Sequence, residues 1–210
     1  MDIYTAINTR RTIRDFADKP IDTTIIEKII GAGLKAPTND HMRSWEFVII
    51  NDKNIRANLL QGVLETKLTT KSEVDNLLDY WKMTDSVQRD MYLDAIPKQY
   101  SMLYNAGCLI LPFFHQDEDI LKPKSIGSLN EFASIWCCIE NMLLAATAEG
   151  IFGVTRIPVG NDQLYVKDVL QHPDNYVLPC FIGLGYPQED CKSVTQSEIN
   201  LKEKIHINKW

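Results

Sequence analysis

The stretch SLNEFASIWCCIENMLLAATAE, residues 128–149, decides how the rest of the chain is read. It is long and apolar on most sides, which predicts a helix either deeply buried or built into a subunit interface. On its C-terminal side, Ile151 to Ile157 and Tyr176 to Leu184 read as apolar strands separated by a helix from about Asn161 to Gln171. On its N-terminal side, GCLILPFF at 107–114 is a continuous apolar run of strand length. Farther upstream, WEFVIIN at 45–51 predicts a strand by its aromatic and β-branched content, and Asp52 opens a helix expected to reach about Thr66. Residues 71–98 combine charge with Tyr80, Trp81 and Tyr92 and hold no glycine, so they predict a helical insertion suited to act as a lid. Near the start, residues 2–9 predict a short helix. Pro20 introduces a second, in which Thr24-Ile25-Ile26-Glu27 fits a capping box with Thr24 as the N-cap. Ile25, Ile26, Ile29, Ile30 and Leu34 give that helix one apolar face, and Pro37 stops it.

Two consecutive helices at the start, then strands separated by helices of unequal length, argue for an α+β fold and against strict βαβ repetition. No internal repeat, low-complexity segment or Gly/Ser/Pro-rich linker divides the 210 residues, so 1–210 reads as a single domain. The tail at 188–210 is polar and irregular, yet it carries Ile205, Ile207 and Trp210, which predicts docking on a partner subunit.

Composition removes several function classes. Twenty-two basic against 28 acidic side chains give a net charge of -6, the wrong sign for a protein whose main partner is nucleic acid. Cys108, Cys137, Cys138, Cys180 and Cys191 are odd in number and never spaced Cys-x-x-Cys, so they read as reduced thiols rather than a disulfide framework or zinc site. Met1-Asp2-Ile3-Tyr4 is acidic where a secretory leader is basic, and no run approaches the roughly 18 apolar residues of a membrane span. A cytoplasmic protein with no membrane association is expected.

Three constellations are candidates for chemistry. Arg10-Arg11-Thr12-Ile13-Arg14 packs three guanidinium groups into five residues of an acidic protein. In an extended chain Arg10, Thr12 and Arg14 would share a face with Arg11 turned away, an arrangement suited to a phosphate monoester; the bland reading is a solvated basic edge. Ala36-Pro37-Thr38-Asn39-Asp40-His41-Met42-Arg43-Ser44-Trp45 is a polar helix-to-strand loop that offers donors and acceptors to a polar planar ring, or else is an ordinary turn. Glu149-Gly150-Ile151-Phe152-Gly153-Val154 places glycines around a strand start, permitting close backbone approach to something flat such as a flavin; a helix C-cap followed by a strand is the plainer account.

Other chemistries lack their residues. His41, His115, His172 and His206 show no metal-ligand spacing, and no metal is expected. There is no Gly-x-Ser-x-Gly elbow or Walker loop, and Gly183-Leu184-Gly185 lacks the third glycine of a dinucleotide fingerprint.

Taken in order, these segments resemble the nitroreductase family. The likeness runs through Arg10 to Arg14 with Asp15-Phe16 and Pro20, Ala36-Pro37-Thr38 leading to Trp45-x-Phe47, Asn141 to Ala146 through Gly150, and Ile182-Gly183-x-Gly185-Tyr186-Pro187, with 71–98 least covered. The resemblance implies a mixed, mainly antiparallel sheet covered by helices and an intertwined homodimer. It implies two interfacial FMN sites, reduced by NADH or NADPH and reoxidised by nitroaromatics, quinones or similar small acceptors in a ping-pong cycle. By the same resemblance, Arg10, Arg11 and Thr12 hold the FMN phosphate and ribityl chain. Arg14 lies toward the N1 and C2 carbonyl edge, where a fixed cation favours the reduced flavin. Pro37, Thr38 and Asn39 come across the interface, Gly153-Val154 offers a backbone N–H to N5, and Lys192 or Lys202 reaches the phosphate. The family commonly shows Asn-x-Gln-Pro-Trp where this chain has His41-Met42-Arg43-Ser44-Trp45, which raises the positive potential near the ring and leaves substrate preference open. The enzyme-class rival is a specialised relative of dehalogenase-like or flavin-consuming activity. The rivals outside enzymology are a non-catalytic FMN-binding protein and a flavin-free structural dimer.

Overall fold

A computed structural model describes residues 1–38, 41–192 and 198–210. Helix α1 (Ile3–Thr9) starts at Asp2, whose carboxylate accepts from the N–H groups of Tyr4 and Thr5, and α2 (Thr23–Gly33) follows. The N-cap of α2 is Asp22, which accepts from Thr24 N–H, so Thr24 sits inside the helix and the expected capping box does not form there. Asp22 precedes Thr24 by two residues, and its carboxylate satisfies the orphan N–H first.

Strand β1 (Trp45–Ile50) leads into α3 (Lys53–Leu59), capped by Asp52 as expected, and α4 (Gln61–Glu65). The single helix expected over Asp52 to Thr66 is therefore interrupted at Leu60. Next come α5 (Lys71–Tyr80), α6 (Ser86–Ala95) and the short α7 (Ser101–Tyr104). Strand β2 (Cys108–His115) is followed by a 3₁₀ turn at Ile126–Leu129 and by α8 (Asn130–Ala148), the long helix read from residues 128–149. The chain continues through β3 (Phe152–Arg156), α9 (Asp162–Leu170), β4 (Tyr176–Val177) and β5 (Phe181–Gly185). The strand expected from Tyr176 to Leu184 is split in two around Leu178-Pro179-Cys180, where proline cannot donate to a ladder.

The sheet order is β1-β2-β5-β3, with β4 also on β2, and each of these strand pairs is antiparallel. Among the described residues the parallel component is one isolated bridge, Thr12 to Gly153, on the outer edge of β3. Side-chain alternation along β2 splits the core into two layers. Cys108, Ile110 and Phe114 join Ile135, Cys138, Ile139 and Met142 of α8 and Ile26 and Ile29 of α2. Leu109, Leu111 and Phe113 face the opposite way, into a layer with Leu59, Leu60, Val63 and Val166. A strand buried on both faces carries no polar alternation, which is why GCLILPFF is continuous. Among the described residues no helix is long and apolar enough to cross a membrane.

Residues 71–98 hold the helices α5 and α6. The α5–α6 hairpin has a core of its own, Val74, Leu78 and Ile96, with Arg89 bonded to both Asp75 and Asp79. In the tail, Ile205, Ile207 and Trp210 are exposed on the single chain.

Candidate functional site

The Arg10–Arg14 segment leaves α1 in extended conformation, Arg10 capping the helix C-terminus by donating its N–H to Ala6 O. Ile13 N–H then donates to Gly153 O at 3.3 Å, which lays the segment along the edge of β3 and under α8. A cavity of about 190 Å³ results, in which Arg10, Arg11, Thr12 and Gly153 face Trp136 and Glu140 of α8. Arg10 Nε lies 3.2 Å from Glu140 Oε1, and Arg11 Nη1 donates to Asn8 O and to Arg10 O, each at 2.7 Å.

The expected alternation is corrected here. Arg11 joins Arg10 and Thr12 on the cavity, whereas Arg14 does not line it. A single parallel bridge does not hold five residues in strand geometry, so period-2 alternation is not imposed on them. Burial presses the Arg14 pKa below the ordinary value, opposed by the nearby charges of Asp94 and Asp15. Its Nε is buried without a hydrogen-bond partner.

Gly150 and Gly153 have separate reasons to be glycine. Gly150, at φ +73°, ends α8: Ile151 N–H donates to Ala146 O and Gly150 N–H to Thr147 O, a Schellman pair. At Gly153 a Cβ would stand 2.8 Å from both Leu143 Cδ2 and Leu184 Cδ2. The close approach that needs this glycine is therefore made by the chain's own leucines, which lets α8 press onto β3.

The loop before β1 is the least regular part of the candidate site. Pro37 is exposed, and Thr38 is half-buried with its Oγ1 lacking a partner. Asn39 lies outside the described residues. His41 and Arg43 are exposed and both left-handed, at φ 56° and 45°, a conformation that L side chains other than Asn and Asp seldom take. Among the described residues, Pro37, Thr38, His41, Arg43, Lys192 and Lys202 do not line the arginine cavity, and both lysines are exposed.

The donor set suits an anion: two guanidinium groups and a hydroxyl on one wall, with the Glu140 carboxylate already engaging one edge of Arg10. At about 190 Å³ the cavity is smaller than the roughly 300–1,000 Å³ of ordinary ligand sites. The buried thiols are poor nucleophiles. Burial pushes the Cys108 thiol up to about 11 and that of Cys138 to about 12, and it raises Cys180 as well.

Residues 7–186 match the model of the nitroreductase family. The chain belongs to that family. It is 26% identical over 195 residues to the iodotyrosine deiodinase of Danio rerio, covering 90% of this chain and 61% of that one. It is 23% identical over 215 residues to an NADPH-dependent oxidoreductase of Staphylococcus aureus, covering 99% and 74%. The solved structure of oxidized iodotyrosine deiodinase bound to FMN and 3-iodo-L-tyrosine has a TM-score of 0.75 at 16% identity, covering 100% of both chains, a likeness of fold.

Within this nitroreductase-family chain, sequence reasoning missed Glu140 and Trp136 as cavity walls and the acids facing Arg14. Glu140 carried a usable signal, being the sole charge between Phe132 and Ala148. Asp94 carried none, because nothing local in the sequence ties α6 to residues 10–16.

Proposed function

We propose that this chain is an FMN-dependent oxidoreductase that takes reducing equivalents from NADH or NADPH and passes them to a nitroaromatic, a quinone or a similar small planar acceptor by a ping-pong mechanism. The observation that carries this reading is the convergence of Arg10, Arg11 and Thr12 on one cavity beside Gly153. Bound FMN would supply hydride transfer at N5. The chain's own residues bind and orient. Arg10, Arg11 and Thr12 hold the phosphate and ribityl chain, with Lys192 as a further cation. Arg14 provides fixed positive charge toward the N1 edge, and the Gly153-Val154 backbone lies beside N5. No side chain is asked to act as acid, base or nucleophile.

The site is completed by a second copy, in a homodimer working in the cytoplasm. Ile3, Tyr4 and Ile7 of α1 are exposed, and Ile3 lines an apolar groove of about 380 Å³ with Met1, Ala6, Leu144 and Ala145, a surface a lone chain leaves wet. Pro37, Thr38, Asn39, His41 and Arg43 enter the ring side of the partner's site, and the tail with Trp210 docks on the partner.

A specialised reading, reductive dehalogenation, is favoured by one observation: the α5–α6 hairpin folds on its own core and is suited to close over one substrate. The deiodinase relatives point the same way. The deciding experiment loads the protein with FMN, desalts it, and records anaerobic absorbance on adding NADPH and then NADH. Retained flavin that bleaches supports the oxidoreductase. Flavin that is retained yet bleaches with neither nicotinamide, but turns over 3-iodo-L-tyrosine with dithionite, supports the dehalogenase. Loss of flavin on desalting overturns both.

A further inference from the structure

Arg14 is the member of the arginine segment that the cavity does not use, and its surroundings are shared between two parts of the fold. Lys98 Nζ lies 2.6 Å from Asp15 Oδ2 and 2.9 Å from Asp94 Oδ1. Asp15 follows Arg14 in the segment held on β3, whereas Asp94 belongs to α6 of the hairpin. The Lys98, Asp15 and Asp94 side chains are 27%, 27% and 16% exposed, so solvent screens their charges only in part. With Arg14 they make a cluster of two cations and two carboxylates, neutral as a whole. Arg14 Nε is itself buried without a hydrogen-bond partner.

We propose that Asp94 is a positioning residue for the flavin site: its carboxylate holds Lys98 and balances Arg14, and so sets how much positive charge Arg14 presents to the ring edge. This rests on the flavin reading above. Reduction of bound flavin adds negative charge near N1, and a fixed cation there favours the reduced form. Removing the Asp94 charge leaves the cluster net positive, whereas removing Lys98 leaves it net negative. The two changes therefore move the flavin's reduction in opposite directions, although each breaks the same ion pair. The hairpin gains an electrical part in the site as well as any covering one, because its carboxylate reaches the segment that holds the cofactor.

The test uses the full chain with Asp94→Asn, Asp94→Glu and Lys98→Met, each loaded with FMN, and reads the midpoint potential of the bound flavin by dye equilibration. At a fixed potential, Asp94→Asn raises the ratio of reduced to oxidised flavin about tenfold, ~30 mV for a two-electron couple. Lys98→Met lowers the ratio by about as much, and Asp94→Glu stays within about twofold of the parent. Thermal melts of the flavin-free proteins run alongside. A cluster that is only structural lowers melting temperature in both neutral variants and leaves the potentials unmoved or shifts them the same way, which overturns the proposal. Should Asp94→Asn not fold, a potential that is unchanged or raised in Lys98→Met overturns it equally. A parent protein that does not retain FMN overturns the flavin reading itself, whereas retained flavin with unmoved potentials overturns only the role of Asp94.

Discussion

Strand β2 and the α5–α6 hairpin are both held by apolar packing, but on different scales. Every residue of β2 from Cys108 to Phe114 is buried, between α8 on one face and a second helical layer on the other. The hairpin buries Val74, Leu78 and Ile96, surrounded by half-buried neighbours, and depends on Arg89 and a capping box besides. A structure built this way has a body that unfolds as one unit and an appendage able to open at lower free energy.

The largest expected effect lies in the body. Phe114→Ala removes a fully buried ring between β2 and α8 and should cost about 3–5 kcal/mol of global stability, read as a fall in the urea midpoint at unchanged slope. Leu78 is equally inaccessible, at 0% exposure, yet Leu78→Ala should leave the main transition near its parent midpoint. Its cost of about 2–3 kcal/mol should instead appear as faster amide exchange confined to residues 71–96. A shared drop in the global midpoint for both variants would erase the contrast by making hairpin and body one cooperative unit.

A smaller effect is expected at the arginine cavity, which neither region lines. Arg10→Ala and Arg11→Ala each remove charge-assisted hydrogen bonds worth about 1.5–3 kcal/mol, which predicts roughly a 10- to 100-fold weaker hold on FMN in equilibrium dialysis. Melting of flavin-free Arg10→Ala should hardly change, since among the described residues its side chain engages only the half-exposed Glu140, whereas Arg11→Ala also loses the donations to Asn8 O and Arg10 O. Unchanged FMN binding in both variants would remove the arginine cavity from the site.

How much of this was legible in the sequence follows from the range of the interactions concerned. The strand-length apolar run of β2 and the length of α8 are local patterns, and both read correctly, as did the helicity within residues 71–98. Two of the S/T-x-x-E matches show where local reading stops. Thr24 to Glu27 fits the pattern and does not cap, because Asp22 does. Thr70 to Glu73 fits it and does: Glu73 N–H donates to Thr70 Oγ1 at 3.2 Å, and Thr70 N–H to Glu73 Oε2 at 2.9 Å. The arginine segment was legible as a concentration of cations. Which of its arginines share a wall was not, because β3, α8 and α6 each claim part of it from more than 70 residues away in the chain.

The capping carboxylates supply the smallest effect, and the one that separates the regions most cleanly. Asp22 in the body and Glu73 in the hairpin both have folded pKa values below the ordinary ones, Asp22 mainly through the Thr24 side chain and Glu73 mainly through the Thr70 N–H. A carboxylate whose pKa is depressed by folding contributes stability that is present above its unfolded pKa, about 3.9 for Asp and 4.3 for Glu, and is lost as pH falls through the folded value. Acid therefore weakens caps in both regions. In the body that loss is set against two full core layers, whereas in the hairpin it is set against three buried side chains. Amide exchange corrected for its intrinsic pH dependence should accordingly show residues 71–96 losing protection between about pH 5 and 3 while 108–115 retain theirs. Glu73→Ala should already show the hairpin's acid behaviour at pH 7 and blunt its further change on acidification. Simultaneous loss of protection in both regions would mean that the small core of the hairpin is coupled to the body more tightly than its contacts indicate.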